Sequence, residues 1–222
     1  MKPAVALILA AAMAVLASSA ASAAVTFTTS NGPLAGSEVE TFDNLSTGNL
    51  SGTTSLDGIG GASLTVNNGV SAITNGSTTG VNAAPFPKSG IDTTNYLSVT
   101  GGSSVTITLA RTANYLGLLW GSVDLYNEID FVDQKGNVTK FDGADFAVNN
   151  GNQGADGTFY ANFVSTIPFL KIILTSSSNS FEVDNVAVSN VPLPAALPLF
   201  GAALLGMGAF ARKRRQNGSL AI

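Results

Sequence analysis

Between residues 25 and 190 no stretch of the chain keeps the 3.6-residue apolar period of an amphipathic helix. Short apolar runs stand there instead, cut off by clusters of Gly, Asn, Ser and Asp. A helix needs a sustained apolar stripe, whereas a half-buried strand needs only a few alternating residues, so this punctuation points to strands. Residues 63–66 (SLTV) and 96–100 (YLSVT) read as two of them. Residues 104–109 (SVTITL) alternate, with Val105, Ile107 and Leu109 on one face. Residues 115–120 (YLGLLW) are almost continuously apolar, which predicts a central strand buried on both sides. Residues 129–132 and 138–141 flank the turn cluster DQKGN and predict a hairpin. Runs at 159–163, 169–174 and 181–188 complete a set of about eight to ten strands. Residues 28–60 are poor in large apolar side chains and are expected to be partly loop. The implied fold class is all-β, an antiparallel β-sandwich. Jelly-roll-like topology is preferred, and an immunoglobulin-like sandwich is the alternative.

The two ends do not belong to that pattern. At the start, Lys2 precedes an apolar stretch over residues 4–17, and Ala21-Ser22-Ala23 gives a small-x-small site. Residues 1–23 therefore read as a secretory signal, removed by signal peptidase with Ala21 and Ala23 marking the cut. That leaves residues 24–190 as an extracytoplasmic sandwich domain.

Charge and residue types narrow the chemistry. All 14 acids lie between Glu38 and Asp184, and only five of the 10 cations accompany them. An acidic domain repels phosphate backbones, so no nucleic-acid partner is expected. The chain has neither Cys nor His. Disulfides, Cys- or His-based zinc sites, imidazole bases and Ser-His-Asp or Cys-His triads are all excluded.

Near the C-terminus, residues 191–211 carry no charge and are followed by Arg212, Lys213, Arg214 and Arg215. As helix, about 21 residues would span roughly 31 Å, enough to cross a bilayer. Pro192, Pro194 and Pro198 disfavour helix at the head of this run, so the firm helix is expected from about Pro198. The four cations read as a stop-transfer cluster, with residues 216–222 as a cytoplasmic tail. The stretch Val191-Pro192-Leu193-Pro194-Ala195, then an apolar helix, then a basic cluster, resembles a PEP-CTERM sorting signal of the VPLPA type, over residues 191–215. The resemblance implies export from a Gram-negative bacterium and transient anchoring in the inner membrane. It further implies cleavage by an exosortase and delivery to the cell surface or extracellular matrix, often alongside exopolysaccharide. Leu193 stands between the prolines where the commoner signal has Glu, which leaves the partner enzyme open.

Two further resemblances lie in the domain itself. Residues 120–127 (WGSVDLYN) are similar to a stretch found in exosortase-dependent surface proteins. Residues 181–188 (FEVDNVAV) resemble the last strand of carbohydrate-binding jelly rolls, whose acidic residue often helps to hold a structural Ca²⁺. The latter resemblance implies a Ca²⁺ site at Asp184. Glu38, Glu40 and Asp43 are expected to join it, since first and last strands often neighbour each other in such folds and Ca²⁺ takes six to eight oxygens. Asn152 to Gly157 is only partly like a Ca²⁺ loop, lacking a closing Glu.

Asp124, Tyr126 and Asn127 form the candidate ligand group, a ring beside polar atoms able to orient a hydroxyl. Trp120, Tyr96 and Tyr160 are further candidates for sugar stacking, although such rings more often fill a core. The acid pairs Asp130/Asp133, Asp142/Asp145 and Asp124/Glu128 read as solvated turn acids, and no catalytic residue is assigned. Three functions follow: a non-catalytic surface or matrix protein associated with exopolysaccharide, a carbohydrate-binding module with a defined glycan, and, less favoured, a secreted hydrolase.

Overall fold

A computed structural model of the chain describes residues 25–146 and 151–191. The secretory signal, the stretch from Pro192 through the stop-transfer cluster, and the tail lie outside the described residues. Of the sorting motif only Val191 lies within them. Among the described residues there are twelve strands and two single 3-10 turns, Asp57–Ile59 and Gly143–Asp145, and no helix long and apolar enough to cross a membrane. The strands are β1 (Val25–Ser30), β2 (Glu38–Glu40), β3 (Gly48–Asn49), β4 (Thr53–Leu56), β5 (Ala62–Asn68) and β6 (Ser71–Thr74), followed by β7 (Tyr96–Val99), β8 (Ser103–Gly121), β9 (Asn127–Asp133), β10 (Val138–Asp142), β11 (Phe159–Ser176) and β12 (Phe181–Ser189). The fold is all-β, and every pairing is antiparallel.

Two strands are far longer than the rest, β8 with 19 residues and β11 with 18. Each changes partners along its length. The start of β8 lies between β5 and the end of β11, and β9 and β10 follow beyond β11. The end of β8 lies between the start of β11 and β12. There β1 adds to β11, while β7 and β2 share the far edge of β12. The two wings of the sandwich are thus joined through two continuous strands. Register breaks in β11 between Val164 and Lys171, where exposed Pro168 sits. Proline cannot donate to a ladder, so a break of this kind is where a long strand tolerates it.

Alternation explains what each half of β8 buries. In the first half Val105, Ile107 and Leu109 face the core, and the threonines between them are half-buried. In the second half every residue is buried. Leu116, Leu118 and Trp120 join Phe163, Phe181 and Val183 in the same apolar cluster as Ile107, Phe131 and Ile172 of the other wing. Trp120 is 0% exposed and packs on Phe181 and Phe146 at centroid distances of 4.7 and 5.1 Å. Tyr115 and Leu119 point to the opposite, outer face. There Gly117 leaves room for two phenols, since a Cβ would stand 2.3 Å from Tyr115 Oη and 2.7 Å from Tyr160 Oη.

The expected hairpin is present, with Val138 opposite Val132. Its turn is closed by Asp133, whose Oδ1 accepts from Lys135 N at 2.8 Å and Asn137 N at 2.9 Å. Residues 28–60 hold more strand than expected: β2, β3 and β4 are short and ride on longer neighbours. Replacing Trp120 or Phe163 with Ala is expected to cost about 3–5 kcal/mol of stability in urea unfolding, since each ring would leave a cavity between the wings.

Candidate functional site

The outer face of β12 carries two buried acids. Phe181 and Val183 face the core, so Glu182 and Asp184 face outward, opposite Gly121 and Leu119 of β8. Asn185 then takes a left-handed φ of 49° at a register shift, after which Val186 and Val188 face the core. The irregular segment 83–95, here called the strap, covers both acids. Pro85 passes over Gly121, and Ala83 N donates to Glu182 Oε1 at 2.9 Å. Phe86 N donates to Thr158 Oγ1 at 3.1 Å.

Glu182 is 1% exposed. Its Oε1 also accepts from Ser180 Oγ, and its Oε2 accepts from Ser122 Oγ at 2.8 Å. Burial pushes its carboxyl up to about 7, against the pull of these three donors. Beside it opens a polar cavity of about 260 Å³, lined among others by Ser122, Asp124, Tyr126, Gln153, Asn179 and Glu182. Asp124 is buried, and burial raises its carboxyl above the ordinary range while the neighbouring Tyr126 phenol opposes that. Tyr126 is half-buried; its Oη donates to Asn179 O at 2.7 Å, and burial followed by Asp124 raises its phenol. Among the described residues no Lys or Arg lines this cavity. It is a pocket of acceptors and hydroxyls around one accessible ring.

The candidate ligand residues divide. Asp124 and Tyr126 line the cavity together, but Asn127 is 0% exposed and turns away to accept from Ser176 Oγ at 2.9 Å. In β9 it begins the strand, and alternation sends it inward. Tyr96 and Tyr160 are buried and give their hydroxyls to Gly76 O at 2.6 Å and Asn185 O at 2.8 Å. With Trp120 in the core, no stacking platform forms from these rings. Of the acid pairs expected to be solvated turn acids, Asp124 is instead buried at the cavity, while the others lie in turns or meet a surface lysine. Asp142 and Asp145 cap the second 3-10 turn, and Glu128 and Asp130 meet Lys140 at 2.7 and 3.5 Å.

The expected metal set does not assemble. The first strand, β1, pairs with β11 rather than with the last strand; it is β2, the second strand, that lies beside β12. However, Glu40 is opposite Val186 and Glu38 opposite Val188, both core-facing residues, whereas Asp184 faces outward. The shift at Asn185 puts them on different faces. Glu38 pairs with Arg111, and Glu40 accepts from Phe42 N at 2.9 Å and Gly58 N at 3.0 Å. Asp43 alone remains near enough to raise the Asp184 carboxyl. Among the described residues no group of three or more acids converges as a metal site. Behind burial, Asp92 of the strap also acts to raise the Asp184 carboxyl, a neighbour that sequence reasoning missed. Nothing in the pattern around residue 92 marks it as a neighbour of β12; only the path of the strap does.

Where the domain ends, Asn114 clamps the chain. Val191 N donates to Asn114 Oδ1 at 2.6 Å, and Asn114 Nδ2 donates to Val191 O at 2.7 Å. Val191, the last of the described residues, is therefore held at a fixed point on the fold.

No family model matches the chain, and no curated protein matches it. Among solved structures it is similar to the CBM22-1 xylan-binding domain of Paenibacillus barcinonensis Xyn10C. The TM-score is 0.31 at 11% identity, covering 69% of this chain and 94% of that one. It is also similar to the enzymatically active domain of tailspike protein 4 of bacteriophage CBA120. There the TM-score is 0.24 at 15% identity, covering 68% of this chain and 20% of that one. Both are faint likenesses and assign no function.

Because the folded-state carboxyl of Glu182 sits above its ordinary value, the native state holds a proton that the unfolded state releases. Stability from this group is full at low pH and is lost as pH rises from about 4.5 to about 7. Carboxyl ¹³C NMR is expected to show Glu182 titrating near pH 7, and Glu182→Gln to remove that part of the pH dependence of melting.

Proposed function

We propose that this chain is a secreted, exosortase-processed protein of the cell surface or extracellular matrix. Its non-catalytic β-sandwich associates with exopolysaccharide through the cavity beside Tyr126. The observation that carries the binding part is the gathering of Asp124, Tyr126 and Glu182 in one polar cavity with no lining cation among the described residues. Such a surface offers acceptors to sugar hydroxyls and one ring edge to a pyranose. What supports the sorting part is the three-part tail in its fixed order. The clamp that fixes Val191, the first residue of the motif, on the fold agrees with it. The jelly-roll variant of the sandwich belongs to the same reading; the non-sequential neighbours of β8, β11 and β12 support it.

A hydrolytic reading has one observation in its favour, two carboxyls of raised pKa in one cavity, the residue pair that glycoside hydrolysis uses. Against it, both oxygens of Glu182 are already engaged by Ala83, Ser122 and Ser180. An acid held in that way serves the fold before it serves a substrate.

On a glycan array the purified domain is expected to bind saturably, and Tyr126→Ala to abolish the signal while the melting temperature stays within a few degrees. Binding unchanged in that variant would move the site elsewhere, and turnover of a polysaccharide would establish the hydrolase. Intact mass of the surface-extracted protein is expected to lack residues 1–23 and the segment 201–222; a mass that retains the latter contradicts processing.

A further inference from the structure

The strap also lines a second cavity, which shares no residue with the one beside Tyr126. Three strands build its floor. Leu119 of β8 stands opposite Tyr160 of β11, and Tyr160 opposite Ser30 of β1, so one row of residues crosses the outer face beneath the strap. Leu119 and Tyr160 are buried, and the Tyr160 hydroxyl is already given to Asn185 O, so the floor offers carbon rather than oxygen. The turn from Pro87 to Gly90 supplies the wall. Gly90 N donates to Pro87 O at 2.9 Å and closes it. Asp92 N donates to Pro85 O at 2.8 Å and Phe86 N to Thr158 Oγ1 at 3.1 Å, which tie the strap on both sides of the turn. The cavity measures about 340 Å³, against about 260 Å³ for the first, and falls within the usual size of ligand sites, roughly 300–1,000 Å³.

Its charge runs against that of the domain. All 14 acids lie between Glu38 and Asp184, in company with five cations. Yet among the described residues no Asp or Glu lines this cavity, and Lys88 does. Arg111 is engaged by Glu38, and Lys140 by Glu128 and Asp130, whereas Lys88 makes no ion pair among the described residues. It stands exposed on the closed turn, beside exposed Ser89 and across from exposed Asn31 at the end of β1. Asp184, opposite Leu119 on β12, is 1% exposed and does not line the cavity. A ligand matched to these groups is anionic at one point, apolar on one face and hydroxylated at its edge. A uronate is all three: a pyranose with one carboxylate, C–H groups on its faces and hydroxyls around its rim.

We propose that this cavity is a second saccharide site and takes an acidic sugar, a uronate whose carboxylate pairs with Lys88 while a ring face rests on Leu119 and Tyr160. The assignment does not rest on the cavity beside Tyr126. One exposed cation and a few hydroxyls, less the cost of holding the sugar, give an affinity of about millimolar for a short oligomer. A complex that weak is lost in the washing of an array, so the site is sought in solution.

The test is a titration of ¹⁵N-labelled protein followed by amide chemical shifts, in EDTA so that no cation bridges protein and sugar. Tetragalacturonate is compared with its full methyl ester, which keeps the rings and removes the charge. Amides of residues 29–31, 88–89, 119 and 158–160 are expected to shift saturably with the acid, and the ester to bind about fivefold more weakly or not at all. Lys88→Gln is expected to weaken the acid about three- to fivefold and leave the ester unchanged, and Lys88→Arg to restore most of the loss. Lys88 is exposed, so neither variant threatens the fold. Acid and ester binding alike, or an unchanged affinity in Lys88→Gln, would overturn the role of the charge. Shifts confined to residues 122–126 would put the sugar in the first cavity, and no saturable shift into the tens of millimolar would remove the site. A tetra-aspartate peptide that binds more tightly than tetragalacturonate would overturn the sugar class. Failure of the glycan array strikes only the cavity beside Tyr126, and failure of the uronate titration strikes only this one.

Discussion

Everything in this domain hangs on β8 and β11 being too long for one sheet. A strand of 18 or 19 residues, kept in register with one set of neighbours, would build a single wide layer with one face open to water. Here each strand changes neighbours midway, so both wings grow from the same two backbones and close on one core. The joint is marked by Pro168 in β11, which cannot donate to a ladder, and by the exposed pair Ala110 and Arg111 in β8, where the alternation of burial breaks. Past that joint the second half of β8 has no solvent-facing side left. Its outer face must be covered by something, and the chain supplies the strap and the two tyrosines.

That cover explains why acids are buried on β12. Apolar residues at positions 182 and 184 would pack the outer face more cheaply, but an irregular strap brings main-chain donors with it. A backbone N–H left without a partner there costs about as much as a lost hydrogen bond. Glu182 takes the Ala83 donor together with two hydroxyls. It is better satisfied than Asp184, which accepts from Asn185 through Oδ2 while its Oδ1 is buried without a partner.

Much of the fold was legible in the sequence because period and punctuation act locally. Val105, Ile107 and Leu109 alternate as written, the 115–120 run is buried on both sides, and the turn at Asp133 to Asn137 closes its hairpin. The candidate site was legible in part: Asp124 and Tyr126 share the cavity, while Glu182 was seen only as part of the last strand. Three things were beyond reach. The register shift at Asn185 reverses which residues of β12 face β2's acids, and a left-handed Asn has no distinct sequence mark. The strap's approach to Asp184 through Asp92 joins residues far apart in sequence and depends on loop path. Asn127 lies beside two cavity residues, yet alternation at the start of β9 turns it inward.

The same geometry bears on how binding and stability divide along β12. Phe181, Val183, Val186 and Val188 anchor the strand in the core, so its outward residues are held rigidly whatever the strap does. Tyr126 and Asp124 lie in the short crossover between β8 and β9, and Tyr126 is tied to Asn179 just before β12. The floor of the cavity is therefore tied to the last strand through Asn179 and Glu182, whereas the walls at residues 79–83 and at Gly151 and Gln153 belong to irregular segments. A site built in this way changes its affinity when the wall moves but keeps its ring and its acids in place. Variation among strap residues would tune a ligand without unfolding the sandwich, whereas variation at Trp120 or Phe181 would undo both together.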